Sequence, residues 1–247
     1  MDKLVVEGVS KIFDGEAVIK DVNLVLRKGE IVCLLGVSGG GKTTIFNIIS
    51  GVIAPEEGRV LLDGTDITGM PGNVSYMLQK DLLLPYKNIV DNVALPLVIR
   101  GVKKKEARRK AMEYFEEFGL TGTEKKYPIH LSGGMKQRAA LLRTYLFSDN
   151  VALLDEPFSA LDTLTKAAIH EWYLGVMEQI HLSTLFITHD IDEAILLSDR
   201  VYLLNGTPGT ITDEIIIDVP KPRRKDFNLS EEFLAYKREI VSKLELS

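Results

Sequence analysis

Residues 31–51 read IVCLLGVSGGGKTTIFNIISG, and their order decides the fold. Ile31 to Leu35 form an uninterrupted apolar run, the mark of a strand buried on both faces. Gly36 to Gly41 follow as a glycine-rich loop. From Lys42 to Gly51 the apolar residues Ile45, Ile48 and Ile49 recur at helical spacing. Strand, glycine loop and helix together make the context in which a phosphate-binding loop is credible, and Gly36-Val37-Ser38-Gly39-Gly40-Gly41-Lys42-Thr43 matches G-x-x-x-x-G-K-[ST] without a gap. Glycines let the backbone wrap an anion so that successive N–H groups point inward. The helix start adds its positive end. Lys42 is expected to reach the β- and γ-phosphates of a nucleotide, the Thr43 hydroxyl to ligate Mg²⁺, and Thr44 to touch the α-phosphate.

Working outward, residues 3–9 and 16–27 read as strands, with a turn at Lys28-Gly29. Further buried strands are expected at Val151–Leu154, Leu185–Thr188 and Val201–Leu204, and one more at Ile215–Val219 after the turn 205–210. Between them, residues 82–148 change to helical patterning. This segment includes an expected helix over Lys103–Phe118 and another over Met135–Leu146. Residues 221–225 break structure, and Glu231–Leu246 read as a terminal helix. Alternating β and α implies a largely parallel sheet with crossovers. The expected organisation is an α/β core of residues 1–81 and 149–220, β-rich at its N-terminal part. A helical insertion spans 82–148 and a helical tail 221–247.

Two more strings carry chemistry. Val151-Ala152-Leu153-Leu154-Asp155-Glu156 is an apolar strand ending in two acids, which sets them at the carboxyl edge of the sheet where α/β folds bind ligands. Asp155 suits Mg²⁺, and Glu156 suits orienting and polarising a water. In Leu131-Ser132-Gly133-Gly134-Met135-Lys136-Gln137-Arg138, a serine and two glycines precede a helix, a second anion site. A second phosphate-binding element is hard to use on the same nucleotide. It makes sense if two copies face each other and each completes the other's site.

Taken together, these strings resemble the ATP-binding subunit of ABC transporters over nearly the whole chain. Gly36–Thr43 corresponds to the family's Walker A loop, Leu131–Gln137 to its signature, and Val151–Glu156 to Walker B with the catalytic glutamate. Gln79 stands at the Q-loop glutamine, Ser159–Asp162 at the D-loop, His189 at the switch histidine, and Phe13 where an aromatic stacks on adenine. The resemblance implies a P-loop NTPase (RecA-like) core that hydrolyses ATP with Mg²⁺. Gln79 would contact the metal or the attacking water, His189 would hold the γ-phosphate and that water, and Asp162 would act across a head-to-tail dimer. In that dimer Ser132, Gly133 and Gly134 would face the ATP of the other subunit. It also implies membrane permease subunits and, indirectly, an extracytoplasmic substrate-binding protein, with this chain peripheral on the cytoplasmic face of the membrane. The departures are mild: Gly40 for the commoner Ser or Cys, Thr43 for Ser, Phe13 for Tyr, Met135 for Gln. LSGGMKQR, with Pro208–Gly209–Thr210 and the run Ile217–Arg224, is similar to importers of nitrate, sulfonates, taurine and pyrimidine precursors of thiamine. The alternative is a non-transport ABC ATPase of DNA repair or translation. No long coiled-coil pattern lies between Thr43 and Leu131, and there is one cassette, so the transport reading is preferred. A GTPase or kinase is disfavoured because no N-K-x-D string occurs.

Composition narrows the field further. The chain has 247 residues with 30 Lys+Arg against 35 Asp+Glu, a net charge of −5 that argues against general nucleic-acid binding. Cys33 is the one cysteine, so no intramolecular disulfide can form; a reducing compartment and an inert core thiol are expected. Residues 1–10 show no apolar core of a secretory signal, and no apolar run reaches the about 18–20 residues of a membrane helix. The basic run Lys103–Lys110 reads as a solvated helix start balanced by Glu113, Glu116 and Glu117, and Arg223-Arg224-Lys225 as an ordinary surface turn. Trp172 reads as packing, and His130, His170 and His181 lack metal-ligand spacing.

Overall fold

A computed structural model describes residues 1–148, 150–159, 163–221, 223–224 and 226–245, with backbone alone for 163–165 and 245. In chain order the strands are β1 (Asp2–Phe13), β2 (Glu16–Arg27), β3 (Ile31–Gly36), β4 (Glu57–Leu62), β5 (Thr65–Asp66), β6 (Ser75–Met77), β7 (Val151–Asp155), β8 (Ser183–Thr188), β9 (Arg200–Asn205) and β10 (Thr210–Ile216). The helices are α1 (Lys42–Ile49), α2 (Ile89–Val93), α3 (Leu95–Ile99), α4 (Lys104–Met112), α5 (Gly133–Phe147), α6 (Thr163–Ile180), α7 (Ile191–Leu197) and α8 (Glu231–Glu245). Among the described residues no helix is long and apolar enough to cross a membrane.

Two sheets build the core. One has the order β10-β9-β3-β8-β7-β6 and is parallel except where β10 runs antiparallel to β9. The other is antiparallel, β2-β1-β4-β5. β3 shows why its sequence is apolar at every position. Ile31, Cys33 and Leu35 face an apolar cluster shared with helices of the insertion and with α8, whereas Val32 and Leu34 face the second sheet and α1. Ile45, Phe46, Ile48 and Ile49 of α1 fill that second cluster, fully buried between the sheets. Each such side chain contributes about 1.5–3 kcal/mol of burial, which anchors the helix that follows the glycine loop. Cys33 is buried, and burial pushes its thiol well above the ordinary value, as suits an inert core group.

Register decides where the chemistry lies. Leu35 of β3 pairs with Thr188 of β8, and Ile187 of β8 pairs with Asp155 of β7. The carboxyl ends of three neighbouring strands therefore meet, and the chain leaves them through the glycine loop, through His189 and through Glu156.

Several expectations need correction. The helix expected over Lys103–Phe118 stops at Met112. Beyond it residues 113–119 form successive turns, with Phe115, Phe118 and Leu120 buried. In the basic run, Arg109 does pair with Glu113, but Arg108 forks onto Asp91 of α2 with two bonds of 2.7 Å. The last strand runs over Thr210–Ile216 rather than Ile215–Val219. The helix expected from Met135 begins at Gly133, because the Ser132 side chain caps it by accepting from the Met135 N–H. Arg223 is no ordinary surface residue. Its guanidinium donates to the carbonyls of Ile195, Leu196 and Ser198, closing the end of α7, and burial lowers its pKa to about 10. Strands β4, β5 and β6 were not legible from patterning. Trp172 packs as expected, edge-on to Phe118 and under Arg138.

Below the strand ends, Glu193 of α7 ties three elements together. It accepts from Thr188 of β8 and from Lys166 of α6, both at 2.7 Å, with His170 at 3.7 Å. Burial alone raises this carboxyl; nearby His170 and the bonds from Lys166 and Thr188 outweigh it and hold it at about 2, against an ordinary 4.5. The folded value is depressed, so the stabilisation is full above pH ~4.5 and is lost as pH falls toward ~2. Glu193→Gln is expected to cost about 2–3 kcal/mol at pH 7, roughly 4–12 °C in Tm. Calorimetry at pH 7 and pH 3 checks this: the gap to wild type should shrink to about half or less at pH 3, and a gap independent of pH would contradict the assignment.

Candidate active site

The glycine loop takes its shape from close packing on both sides. Gly36 ends β3 directly against Leu204 of β9, where a Cβ would collide with that residue's carbonyl. Gly41 precedes α1 with φ 95°, a left-handed conformation, and a side chain there would strike Ile19. Around the loop lies a cleft of about 400 Å³. Ser38, Gly39 and Gly41 to Thr44 line one side; Gln79, Asp155, Glu156 and His189 line the other. Val18 and Ile187 complete it and were not singled out from sequence.

Within the cleft the charged groups face one another. Lys42 Nζ donates to the carbonyls of Gly36 and Val37 at 2.7 and 2.8 Å, so the loop's own backbone holds its ammonium. Burial lowers the Lys42 pKa, while Glu156 and Asp155 push the other way. The Thr43 hydroxyl lies 3.4 Å from Asp155 Oδ2, and the Tyr76 hydroxyl 3.5 Å from the same oxygen. Both contacts are long. Burial, and then the neighbouring Glu156, raise the Asp155 carboxyl. Asp155, a carboxylate with only long contacts, could take a divalent cation, with Thr43 and Gln79 as further oxygen donors.

Glu156 is held from both sides. Gln79 Nε2 donates to its Oε2 at 3.0 Å, and His189 Nδ1 lies 2.9 Å from its Oε1. Its backbone has φ 45°, in the left-handed region, which costs on the order of 1 kcal/mol for a side chain of this size. The conformation is kept by its N–H donating to Ile187 O and by Ser159 closing a turn onto its carbonyl. A strained acid fixed between two polar side chains is the kind of outlier that marks a functional position.

Other expected residues lie elsewhere. Phe13 ends β1, exposed, outside the residues that line the cleft, with the Lys11 ammonium 5.2 Å from its ring. Ser132, Gly133 and Gly134 begin α5 and do not line the cleft of their own chain. Asp162, with Ala160 and Leu161, lies outside the described residues. Tyr76 was missed because an isolated tyrosine in a short strand carries no pattern.

The family model described as ABC transporter matches residues 19–159. The chain belongs to the ABC transporter family. It is 44% identical over 208 residues to the formylaminopyrimidine import ATP-binding protein ThiZ of Halalkalibacterium halodurans, covering 84% of this chain and 81% of that protein. It is 36% identical over 251 residues to the nitrate import ATP-binding protein NrtD of Synechocystis sp., covering 98% and 94%. Among solved structures, the dimeric structure of the bacterial ABC transporter cassette MJ0796 superimposes with a TM-score of 0.74 at 27% identity, over 88% of this chain and all of that one. The protein is thus an ATP-binding, ATP-hydrolysing subunit of an ABC transporter with the P-loop NTPase fold, as its motifs implied.

Because Asp155 is held above its ordinary value, the folded protein keeps that proton more tightly than the unfolded chain. Its carboxylate therefore detracts from ligand-free stability as pH rises past the ordinary 3.8. Asp155→Asn is expected to leave the Tm of the ligand-free protein equal to or above wild type at pH 7 while weakening Mg-ATP binding at least about tenfold. Scanning calorimetry paired with titration of Mg-ATP checks both; a clear drop in ligand-free Tm would contradict the repulsion described here.

Proposed function

We propose that this chain is the motor of an importer for a small molecule such as nitrate, a sulfonate, taurine or a related compound. Two copies would bind two ATP head to tail and act through separate permease subunits. The observation that carries the reaction is the Glu156 carboxylate fixed between Gln79 and His189, on the edge of a cleft that Lys42 and the glycine loop line from the other side. The residues in that cleft suit phosphoryl transfer to water. The N–H groups of the loop and of the α1 start point at the β- and γ-phosphates. Lys42 exchanges its two carbonyl contacts for phosphate oxygens. Thr43, Asp155 and Gln79 would hold Mg²⁺, which would supply positive charge that offsets the phosphates. Glu156 orients and polarises the water, and His189, 2.9 Å away, steadies that carboxylate and donates toward the γ-phosphate. Phe13, exposed at the end of β1, would offer a ring face for adenine.

Dimerisation is supported by what the single chain leaves outside its cleft. The capped, glycine-lined start of α5 at Ser132–Gly134 is an anion-binding end with no ligand of its own chain to serve. It would close over the partner's γ-phosphate, with Asp162 at the same interface; that the MJ0796 cassette is dimeric supports pairing of two copies.

Residues 1–81 and 149–220 would form the ATP-handling core, 82–148 the unit that carries the signature, and 221–247 a tail packed on α7. Beside the Gln79 loop lies an apolar groove of about 420 Å³ whose lining includes Val52, Leu82, Ile99 and Phe147, with Val52, Leu82 and Ile99 exposed. Such a patch suits a permease segment. The chain would sit peripherally on the cytoplasmic face of the membrane. Import rather than export is supported by relatives named for import of nitrate and formylaminopyrimidine, and an extracytoplasmic binding protein would be an indirect partner.

Glu156→Gln is expected to keep Mg-ATP affinity within about threefold while turnover falls about 100-fold or more, with a dimer trapped in ATP on size-exclusion chromatography. Wild-type turnover in that variant rejects Glu156 as the residue that activates water. Ser132→Arg is expected to abolish dimer-dependent hydrolysis and leave nucleotide binding by the isolated chain intact. Loss of that binding would mean Ser132 serves the ATP of its own chain.

A further inference from the structure

Arg143 lies on α5, ten residues beyond Gly133, about 15 Å along the helix from the signature end. Its guanidinium reaches out of the helix to the loop that follows Gln79. Nη2 donates to Asp81 O at 2.5 Å and Nη1 to Leu82 O at 2.9 Å. A planar fork on two successive carbonyls fixes the position and the tilt of that peptide pair together. Leu82 itself has φ 44°, a left-handed conformation unfavourable for a leucine, so the loop shape is imposed from outside. Its far end is tied too: buried Asn92 of α2 accepts from Leu84 N and donates to the carbonyls of Leu84, Lys87 and Asn88. Its near end is Gln79, bonded to Glu156. One rigid helix thus carries the signature serine at its start and a grip on the Gln79 loop three turns later.

We infer that Arg143 is a positioning residue: through its fork on Asp81 and Leu82 it sets Gln79 against Glu156 and ties that contact to the placement of the signature helix. The inference rests on the roles proposed above for Gln79 and Glu156. Lysine can reach one carbonyl but cannot fork, and methionine keeps the stem without a donor.

The test uses the full-length protein as R143M, R143K, Q79A and Q79A/R143M, with E156Q as reference. Steady-state ATP hydrolysis, Mg-ATP affinity and amide exchange over residues 80–84 are measured. R143M is expected to lower kcat about tenfold with the Kd for Mg-ATP within about twofold, and to speed exchange at Leu83 and Leu84. R143K is expected to fold and to fall between R143M and wild type. On the Q79A background, R143M should change kcat less than about twofold, because the two residues act as one unit. The proposal is overturned if R143M or R143K keeps both wild-type kcat and wild-type exchange, or if R143M costs the same factor with and without Gln79. An inactive E156Q beside a wild-type R143M sinks this inference alone. An E156Q that turns over normally sinks the Proposed function instead.

Discussion

The parallel pairing of β3, β8 and β7 is the constraint on which the rest of this molecule depends. Leu35 beside Thr188, and Ile187 beside Asp155, bring three strand ends to one line. Residues far apart in the chain then leave the sheet at the same edge: the glycine loop from β3, His189 from β8, Glu156 from β7. Backbone hydrogen bonds set this spacing, and burial of the strands on both faces locks it. A slip of one residue would turn Cys33 and Leu35 toward the second sheet and exchange the two apolar clusters. The cost of such a slip is why the site is geometrically determined without any ligand.

On that frame the electrostatics are deliberately incomplete. Lys42 is satisfied by carbonyls of its own loop, while Asp155 and Glu156 stand side by side and burial raises Asp155. The cleft is therefore prepared for charges it does not supply, phosphate against Lys42 and a cation against the acids. By contrast, the network one layer below is complete: Glu193 takes bonds from Thr188 and Lys166, and its carboxyl is held at about 2. The Glu193 network supports the scaffold, whereas in the cleft Asp155 has only long contacts, at 3.4 and 3.5 Å. Arg108 pairs with the Asp91 carboxylate, whereas Arg143 places its donors on backbone carbonyls of a loop.

Some local structure was hidden for identifiable reasons. The helix Lys104–Met112 is shorter than expected: strong helix formers continue to Phe118, yet residues 113–119 form turns. Arg223 looked like a surface charge until the end of α7 came to lie against it. Tyr76 and Arg143 carry no pattern at all; each matters through one or two contacts made across the fold. The short strand β6 that brings Tyr76 to Asp155 shows neither alternation nor an apolar run of useful length.

The amino-acid sequence determined by itself the glycine loop, the acids at the end of an apolar strand, the capped glycine-lined helix start, and through them the family. These are short-range features: a loop, a strand end and a helix cap are each encoded by neighbours in the chain, where steric and hydrogen-bonding preferences act directly. Only the tertiary structure decided that Gln79 and His189 take hold of the same carboxylate, that Ser132–Gly134 stay outside their own chain's cleft, and that Arg143 grips the loop behind Gln79. Those relations join elements far apart in the chain. They arise from strand register and from packing around shared apolar clusters, which no local stretch of residues encodes.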